Sequence, residues 1–334
     1  MVSAVIFVAT SCVSPLTGFA FWETNLACEG ESIYNYLQVK NLSDRTILST
    51  NVLFGVQSVT MKDKGLTGMY YDTALAAPAL ADNANSALIL GMGTGTYARQ
   101  LKQYYPKMNI TGVEIDQKIT DLAGEYFDEP ADIPVTTYDG RAWLAASHDK
   151  YDVIMVDAYQ DITIPFQMSS TEFFTMVREH LNPGGVMVVN MNMISDGQGS
   201  INEALSDTIA SVFGNGNTLT ADVPNTTNRE LFAKKPGSGS EENSMQQASK
   251  ALNLRETTYE RTGSEDLEWY MEEVASRFRK VNEPDSASTI LTDDKAPVEV
   301  LGMHAIDQII ADEAGPYRQI LKDEGFGGLL RAVQ

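Results

Sequence analysis

Cysteine is almost missing from this chain: 334 residues contain two, Cys12 and Cys28. That excludes a disulfide framework and a thiolate metal cluster. Histidine is nearly as scarce, with His148, His180 and His304 scattered and without ligand spacing. His180 also precedes Leu181-Asn182-Pro183-Gly184-Gly185, where a cation is expected at a helix C-terminus on electrostatic grounds alone. A metal site or a Ser-His-Asp triad therefore has little support, and no metal is expected. Basic residues are outnumbered, 24 against 45 acids, for a formal net charge of −21. So acidic a surface repels phosphate backbones, and no basic cluster offsets it, so nucleic acid is excluded as a partner. The same balance attracts polycations, although excess charge also serves solubility alone.

Charge is absent altogether from the first 22 residues, Met1 to Trp22. That length just spans a bilayer, but Pro15 and several Ser and Thr interrupt it, and no basic region precedes it as a secretory signal requires. Two readings stand: membrane attachment through residues 1–22, or an apolar segment packed on the body. The first bases downstream, Lys40 and Arg45, favour a cytoplasmic location for everything that follows.

What the chain does have is alternation. Between Ser32 and Met61, short runs rich in β-formers (33–39, 46–48 and 52–56) are separated by turn residues, which predicts a small antiparallel β-domain. Met69 to Leu80 reads as a helix with Pro78 late in it. From Ala87 to about Ala233, strands at 87–91, 110–115, 133–137, 152–157, 185–191 and 229–233 alternate with helices near 95–105, 117–126, 140–147, 170–180 and 200–213. This predicts an α/β fold: a doubly wound, mostly parallel Rossmann-like sheet with helices on both faces. A Gly/Ser-rich loop at 236–244, acidic helices over about 244–280 and a last helix near 305–324 complete the chain. The expected division is an apolar segment 1–30, a β-domain 31–80, a nucleoside-binding domain 81–235 and a helical extension 236–334.

The most informative segment is Ala87-Leu88-Ile89-Leu90-Gly91-Met92-Gly93-Thr94-Gly95-Thr96, a buried strand running into a glycine-rich turn. Glu114 follows at the end of the next apolar run, Ile110 to Ile115. Glycines let backbone approach a ligand closely, and an acid at this distance accepts hydrogen bonds from both ribose hydroxyls. Asp139-Gly140 ends the third strand, where the acid either accepts from an adenine amine, with the glycine leaving room for the ring, or caps the next helix. Asp157 ends the buried run Tyr151 to Val156 and is placed to act as general base towards an amine or to fix its position; the alternative is a loop cap. Tyr159, Gln160 and Asp161 follow it and are positioned to line an acceptor pocket. In a parallel sheet, ligands sit beyond the carboxyl ends of the strands, where all these residues fall.

Taken together, several segments resemble the spermidine synthase (polyamine aminopropyltransferase) family of class I S-adenosylmethionine-fold transferases, in particular a bacterial branch often fused to membrane segments. They are Glu31 to Tyr36, the Gly91–Gly95 turn, Val113 to Asp116, Asp139-Gly140, Asp157 to Pro165, Ser170 to Phe174, Leu181 to Gly185 and Leu291 to Glu299. The resemblance implies that Gly91, Gly93 and Gly95 cradle the nucleoside, with Glu114 on the ribose and Asp139 on the adenine. It implies that Asp157 positions or deprotonates the attacking amine, that Tyr70 contacts substrate, and that Gln57 touches the co-substrate. It further implies a small cationic amine as substrate and self-association, commonly as dimers or tetramers. Thr94 stands where the family carries an acid for the cationic tail of decarboxylated S-adenosylmethionine, and Gln160 where it carries a second acid, with Asp161 one position on. Three readings follow: aminopropyl transfer from decarboxylated S-adenosylmethionine, methyl transfer from S-adenosylmethionine itself, and a non-catalytic nucleoside-binding or membrane-tethered scaffold.

Overall fold

The computed structural model describes residues 20, 23–51, 55–128, 130, 132–158, 164–192, 199–214, 216–237, 244–286, 288–303, 319–320 and 322–323. The apolar segment 1–22 (apart from Ala20), the strand residues 52–54, Tyr159 to Asp161 and most of the last helix lie outside these residues.

Two sheets organise the chain. Strands β1 (Leu26–Glu31), β2 (Tyr36–Asn41), β3 (Arg45–Thr50) and β4 (Ser58–Met61) form an antiparallel sheet in sequential order. The sequence pattern predicts a separate β run at 52–56; its residues 52–54 lie outside the described residues, and 55–57 form a connection that leads into β4 at Ser58. The apolar side of this sheet (Leu37, Val39, Leu48) packs on Ile119, Leu122 and Phe127 of and beside the helix Gln117–Tyr126. Ser32 Oγ and Asn35 Nδ2 also donate to Asp116 Oδ2 at 2.6 and 3.0 Å, tying the small sheet to the rim of the large one.

The second sheet contains β5 (Ser86–Leu90), β6 (Asn109–Glu114), β7 (Val135–Thr137), β8 (Tyr151–Val156), β9 (Leu181–Asn192), β10 (Thr218–Asp222), β11 (Asn228–Lys234) and β12 (Arg279–Lys280). Their spatial order is β12-β10-β11-β9-β8-β5-β6-β7. β7, β6, β5, β8 and β9 run parallel, and β11, β10 and β12 add antiparallel pairs at one edge. The apolar runs of β5 and β8 are buried on both faces, as an interior parallel strand requires. The helices Thr96–Tyr104, Ala251–Thr262 and Glu265–Arg277 cover one face, and Thr171–His180 and Ile201–Phe213 the other.

The predicted helix over 69–80 is in fact two, Tyr70–Ala74 and Ala76–Leu80, meeting at Leu75. Pro78 has no N–H to give the carbonyl four residues back. That carbonyl, on Ala74, instead accepts from the Tyr97 hydroxyl at 3.0 Å. The chain runs outward from β5 to β6 and β7, then returns to place β8 on the other side of β5. The reversal lies between β5 and β8, where Asp157 N–H donates to the Leu90 carbonyl at 2.8 Å. It is the position at which such sheets open a crevice.

Candidate active site

A cavity of about 610 Å³ opens over the carboxyl ends of β5, β6 and β8. Its walls include Gln57, Tyr70, Gly91, Glu114, Asp139 and Asp157. The turn after β5 needs glycine for two distinct reasons. Gly91 has φ +87°, and a Cβ there would lie 2.2 Å from the Asp157 carbonyl oxygen. Gly93 has φ +56°, and a Cβ there would lie 2.7 Å from Ser58 Oγ. The turn is thus glycine-rich because two strand ends and β4 converge on it, and the same bareness opens it to the cavity. Gly95 (φ +82°) starts the helix Thr96–Tyr104 and stands away from the lining, as does Thr94. The Thr94 side chain is fully buried, and its hydroxyl has no partner.

Glu114 closes β6. Its Oε2 accepts from Gly93 N–H at 2.7 Å and its Oε1 from Asp116 N–H at 3.0 Å, so it rigidifies the glycine turn while lining the cavity. Burial pushes its pKa up, against these backbone bonds, which lower it. Asp139 is a helix cap, Oδ1 accepting from Ala142 N–H at 2.7 Å, and it lines the cavity together with Gly140. The cap is thus present, and the residue also borders the cavity. Gln57 lines the wall, and its carbonyl accepts from the Tyr71 hydroxyl at 2.7 Å.

Asp157 sits at the reversal point on the cavity wall. Its Oδ2 accepts from the Tyr70 hydroxyl at 2.7 Å and its Oδ1 from Asn190 Nδ2 at 2.9 Å. Asn228 Nδ2 in turn donates to Asn190 Oδ1 at 2.9 Å, fixing which way the Asn190 amide points. Burial raises the Asp157 pKa to about 6, and the Tyr70 and Asn190 hydrogen bonds pull it down. Such a carboxyl is mostly ionised at neutral pH yet basic enough to take a proton, which is the property a general base needs. The Tyr70 hydroxyl is itself held protonated, because burial and the nearby Asp157 charge raise its pKa well above the ordinary phenol value.

Sequence reasoning missed Asn190, Asn228 and Tyr71. The signal for Asn190 was present: it ends the apolar run Val186 to Val189 of β9 as Asp157 ends β8, a polar residue placed at the carboxyl end of a buried parallel strand. Asn228 carried none, because its position depends on the antiparallel pairing of β11 with β9. The segment around Asp293 proves to be a brace: Arg141 clamps the Asp293 carboxylate through both nitrogens at 2.7 and 2.6 Å, and Ser170 Oγ donates to it at 2.5 Å.

The family described as spermine/spermidine synthase domain matches residues 69–235. The chain is 99% identical over 334 residues to a probable polyamine aminopropyl transferase of Bifidobacterium longum, covering all of this chain and 75% of that protein. It is 37% identical over 131 residues to a polyamine aminopropyltransferase of Corynebacterium efficiens, which is 36% of this chain and 25% of that one. Among solved structures it is similar to a probable spermidine synthase from Corynebacterium glutamicum, with TM-score 0.56 and 21% identity over 79% of this chain and 98% of that one. A spermidine synthase in complex with the transition-state analogue AdoDATO aligns with TM-score 0.53 and 19% identity, covering 64% of this chain and 75% of that one. These two structures bear on the fold, which they share with this chain. The chain belongs to the spermine/spermidine synthase domain family and is a transferase.

Proposed function

We propose that the chain transfers an aminopropyl group from decarboxylated S-adenosylmethionine to a primary amine of a polyamine-type acceptor. The observation that carries this reading is Asp157, oriented by Tyr70 and Asn190 on the wall of a cavity that also exposes Glu114 and Asp139. An adenosyl sulfonium is the donor class that these residues suit. Glu114 is the partner for the ribose hydroxyls, Asp139 for the adenine amine, and the bare backbone of Gly91 and Gly93 gives the nucleoside room. A cavity of about 610 Å³ falls in the range of small-molecule sites.

The acceptor arrives as an ammonium, and Asp157 takes one of its protons. The freed nitrogen lone pair attacks the propyl carbon beside sulfur; the C–N bond forms, the C–S bond breaks, and its electron pair neutralises the sulfonium to leave methylthioadenosine. Because the leaving group is already activated, in-line placement of the amine supplies most of the acceleration, with proton removal as the chemical trigger. Tyr159, Gln160 and Asp161 belong to the acceptor side in this reading. The methyl-transfer alternative drew on Thr94 and Gln160; the buried Thr94 side chain, away from the cavity lining, gives it no support. Membership of a transferase family weighs against a scaffold without catalysis.

The division at residues 30, 80 and 235 remains our reading of the chain's organisation, as does self-association. Among the described residues no helix is long and apolar enough to cross a membrane. The test of function is product analysis. Incubation with decarboxylated S-adenosylmethionine and putrescine is expected to release methylthioadenosine and a mono-aminopropylated amine in equal amounts. Methylated putrescine formed from S-adenosylmethionine would support the rival reading instead.

A further inference from the structure

Glu230, on β11, has no solvent exposure, and neither of its carboxyl oxygens has a hydrogen-bond partner. Buried carboxyls are normally paired, so one kept in this state calls for a reason. Strand alternation puts Asn228, Glu230, Phe232 and Lys234 on one face of β11. Phe232 belongs to the core cluster that holds Tyr70, Tyr97 and Val188, whereas Leu231 and Ala233 belong to the opposite one. Across the sheet, Glu230 pairs in register with Asn190, the residue that donates to Asp157. Asn228, two residues before it, donates to Asn190 and lines the cavity. Glu230 therefore lies one layer beneath the cavity wall, under the amides that orient the base.

Its surroundings contain one acid and no bonded cation. Burial, and after it the charge of Asp157 just past the end of β8, push the Glu230 pKa up. Tyr97 lies on the helix Thr96–Tyr104 in the same core cluster, its hydroxyl committed to the Ala74 carbonyl and its pKa raised chiefly by burial. Tyr70 lies on the neighbouring helix Tyr70–Ala74, with its hydroxyl committed to Asp157. Ala221 stands opposite on β10. Lys234, further along the same face, is committed to Asp82 at 2.8 Å and the Leu80 carbonyl at 2.9 Å.

We propose that Glu230 is a reserve counter-charge for the polycationic acceptor: a neutral carboxyl while the cavity holds no cation, and a carboxylate once ammonium groups are seated above Asn190 and Asp157. This deepens the aminopropyl-transfer reading and rests on it. Two anions one layer apart in a medium of low dielectric repel, so the free protein keeps a single negative charge there, on Asp157. A bound polyamine reverses the sign of that field. The Glu230 proton then leaves to solvent, and the site gains a second anion without having held an uncompensated pair beforehand. Glu230 acts through space and through Asn190, as a positioning residue rather than a catalytic one.

The test is calorimetry of spermidine binding to the methylthioadenosine-loaded protein at pH 7.5, in two buffers of different ionisation enthalpy, for wild type and Glu230→Gln. Protons lost from the amine itself are common to both proteins, so the difference between them reports Glu230. Wild type is expected to release up to about one proton more per site than E230Q. The variant is expected to bind spermidine about tenfold more weakly while keeping its affinity for methylthioadenosine. Equal proton release, or equal spermidine affinity, overturns the proposal. Should E230Q not fold, infrared difference spectra of the wild type decide: loss of a protonated-carboxyl band on spermidine binding supports it, and an unchanged band refutes it. If spermidine does not bind the loaded wild type at all, the polyamine reading fails first and this one with it. If spermidine binds both proteins alike, only the role of Glu230 fails.

Discussion

Replacing Asp157 with Asn separates what this carboxyl does for catalysis from what it costs the fold. The side chain keeps its size; its amide oxygen can take the Asn190 N–H, and its NH2 then faces the Tyr70 hydroxyl, which can turn from donating to accepting, so geometry is largely conserved. The lost property is the basic oxygen. General-base removal is worth about 10²–10⁴-fold, so kcat for methylthioadenosine release with putrescine is expected to fall by that factor, while methylthioadenosine affinity stays within about twofold. Stability should move the other way. The pKa of Asp157 rises from 3.8 to about 6 on folding, chiefly through burial. An acid raised in the folded state stabilises most below its unfolded pKa, and that contribution is lost as pH climbs through the folded value. Two units correspond to about 3 kcal/mol, an upper bound here because cavity water screens a carboxyl on the wall. D157N should therefore be more stable than wild type above pH 6, and the difference should close towards pH 4, read by denaturant unfolding at a series of pH values. Wild-type turnover in this variant would refute the assignment of the base. A stability difference that widens on acidification would refute the account of its burial.

Three further substitutions probe the rest of the wall. Tyr70→Phe removes a hydrogen bond that lowers the Asp157 pKa, so the acid limb of the kcat/KM profile should move upward by about one pH unit; an unmoved limb would show that the bond does not tune the base. Glu114→Ala strands Gly93 N–H and Asp116 N–H and removes the proposed ribose acceptor. At about 1–3 kcal/mol, methylthioadenosine binding should weaken by roughly 10–100-fold in calorimetry, and retained affinity would argue against the ribose role. Gly91→Ala places a Cβ 2.2 Å from the Asp157 carbonyl at a positive φ. It should lower stability by more than about 1–3 kcal/mol and displace the base, so thermal unfolding and turnover should fall together; a wild-type melting temperature would mean that the two strand ends separate freely.

The centre of the parallel sheet was legible because β5 and β8 are buried on both faces and so read as apolar runs. Each is punctuated by the glycine or acid that ends it at the crevice. Helix starts were legible for a similar local reason: Asp116, Asp139, Ser170 and Ser200 each cap a helix through a side-chain oxygen, whereas the start at Ser264 was not separated within the helical stretch 244–280. What escaped depends on partners far away in sequence. β12 is two residues, Arg279 and Lys280, that are strand only because the β10 edge pairs with them. The break at Leu75 needed the Tyr97 hydroxyl to make it tolerable. Thr94 read as a ligand contact because the resemblance puts it where the family carries an acid; which side of the turn its side chain takes is decided by packing, and it packs inward.

The three buried acids around this cavity share one physical signature. Glu114, Asp157 and Glu230 are all pushed upward, each chiefly by burial. None is neutralised by a bonded lysine or arginine of the chain among the described residues: Glu114 is held by backbone N–H groups, Asp157 by a phenol and an amide, and Glu230 by nothing. In a chain with 24 basic residues this is a choice of placement, because a guanidinium is readily set beside a carboxylate, as Arg141 is beside the exposed Asp293. An internal cation would fill the position that a substrate ammonium has to take. Leaving the acids without one makes the empty site electrostatically incomplete, so that positive charge supplied from outside is what completes it. That incompleteness also gives selectivity: a neutral molecule of the same shape leaves these acids as poorly compensated as before, and only a cationic amine relieves them.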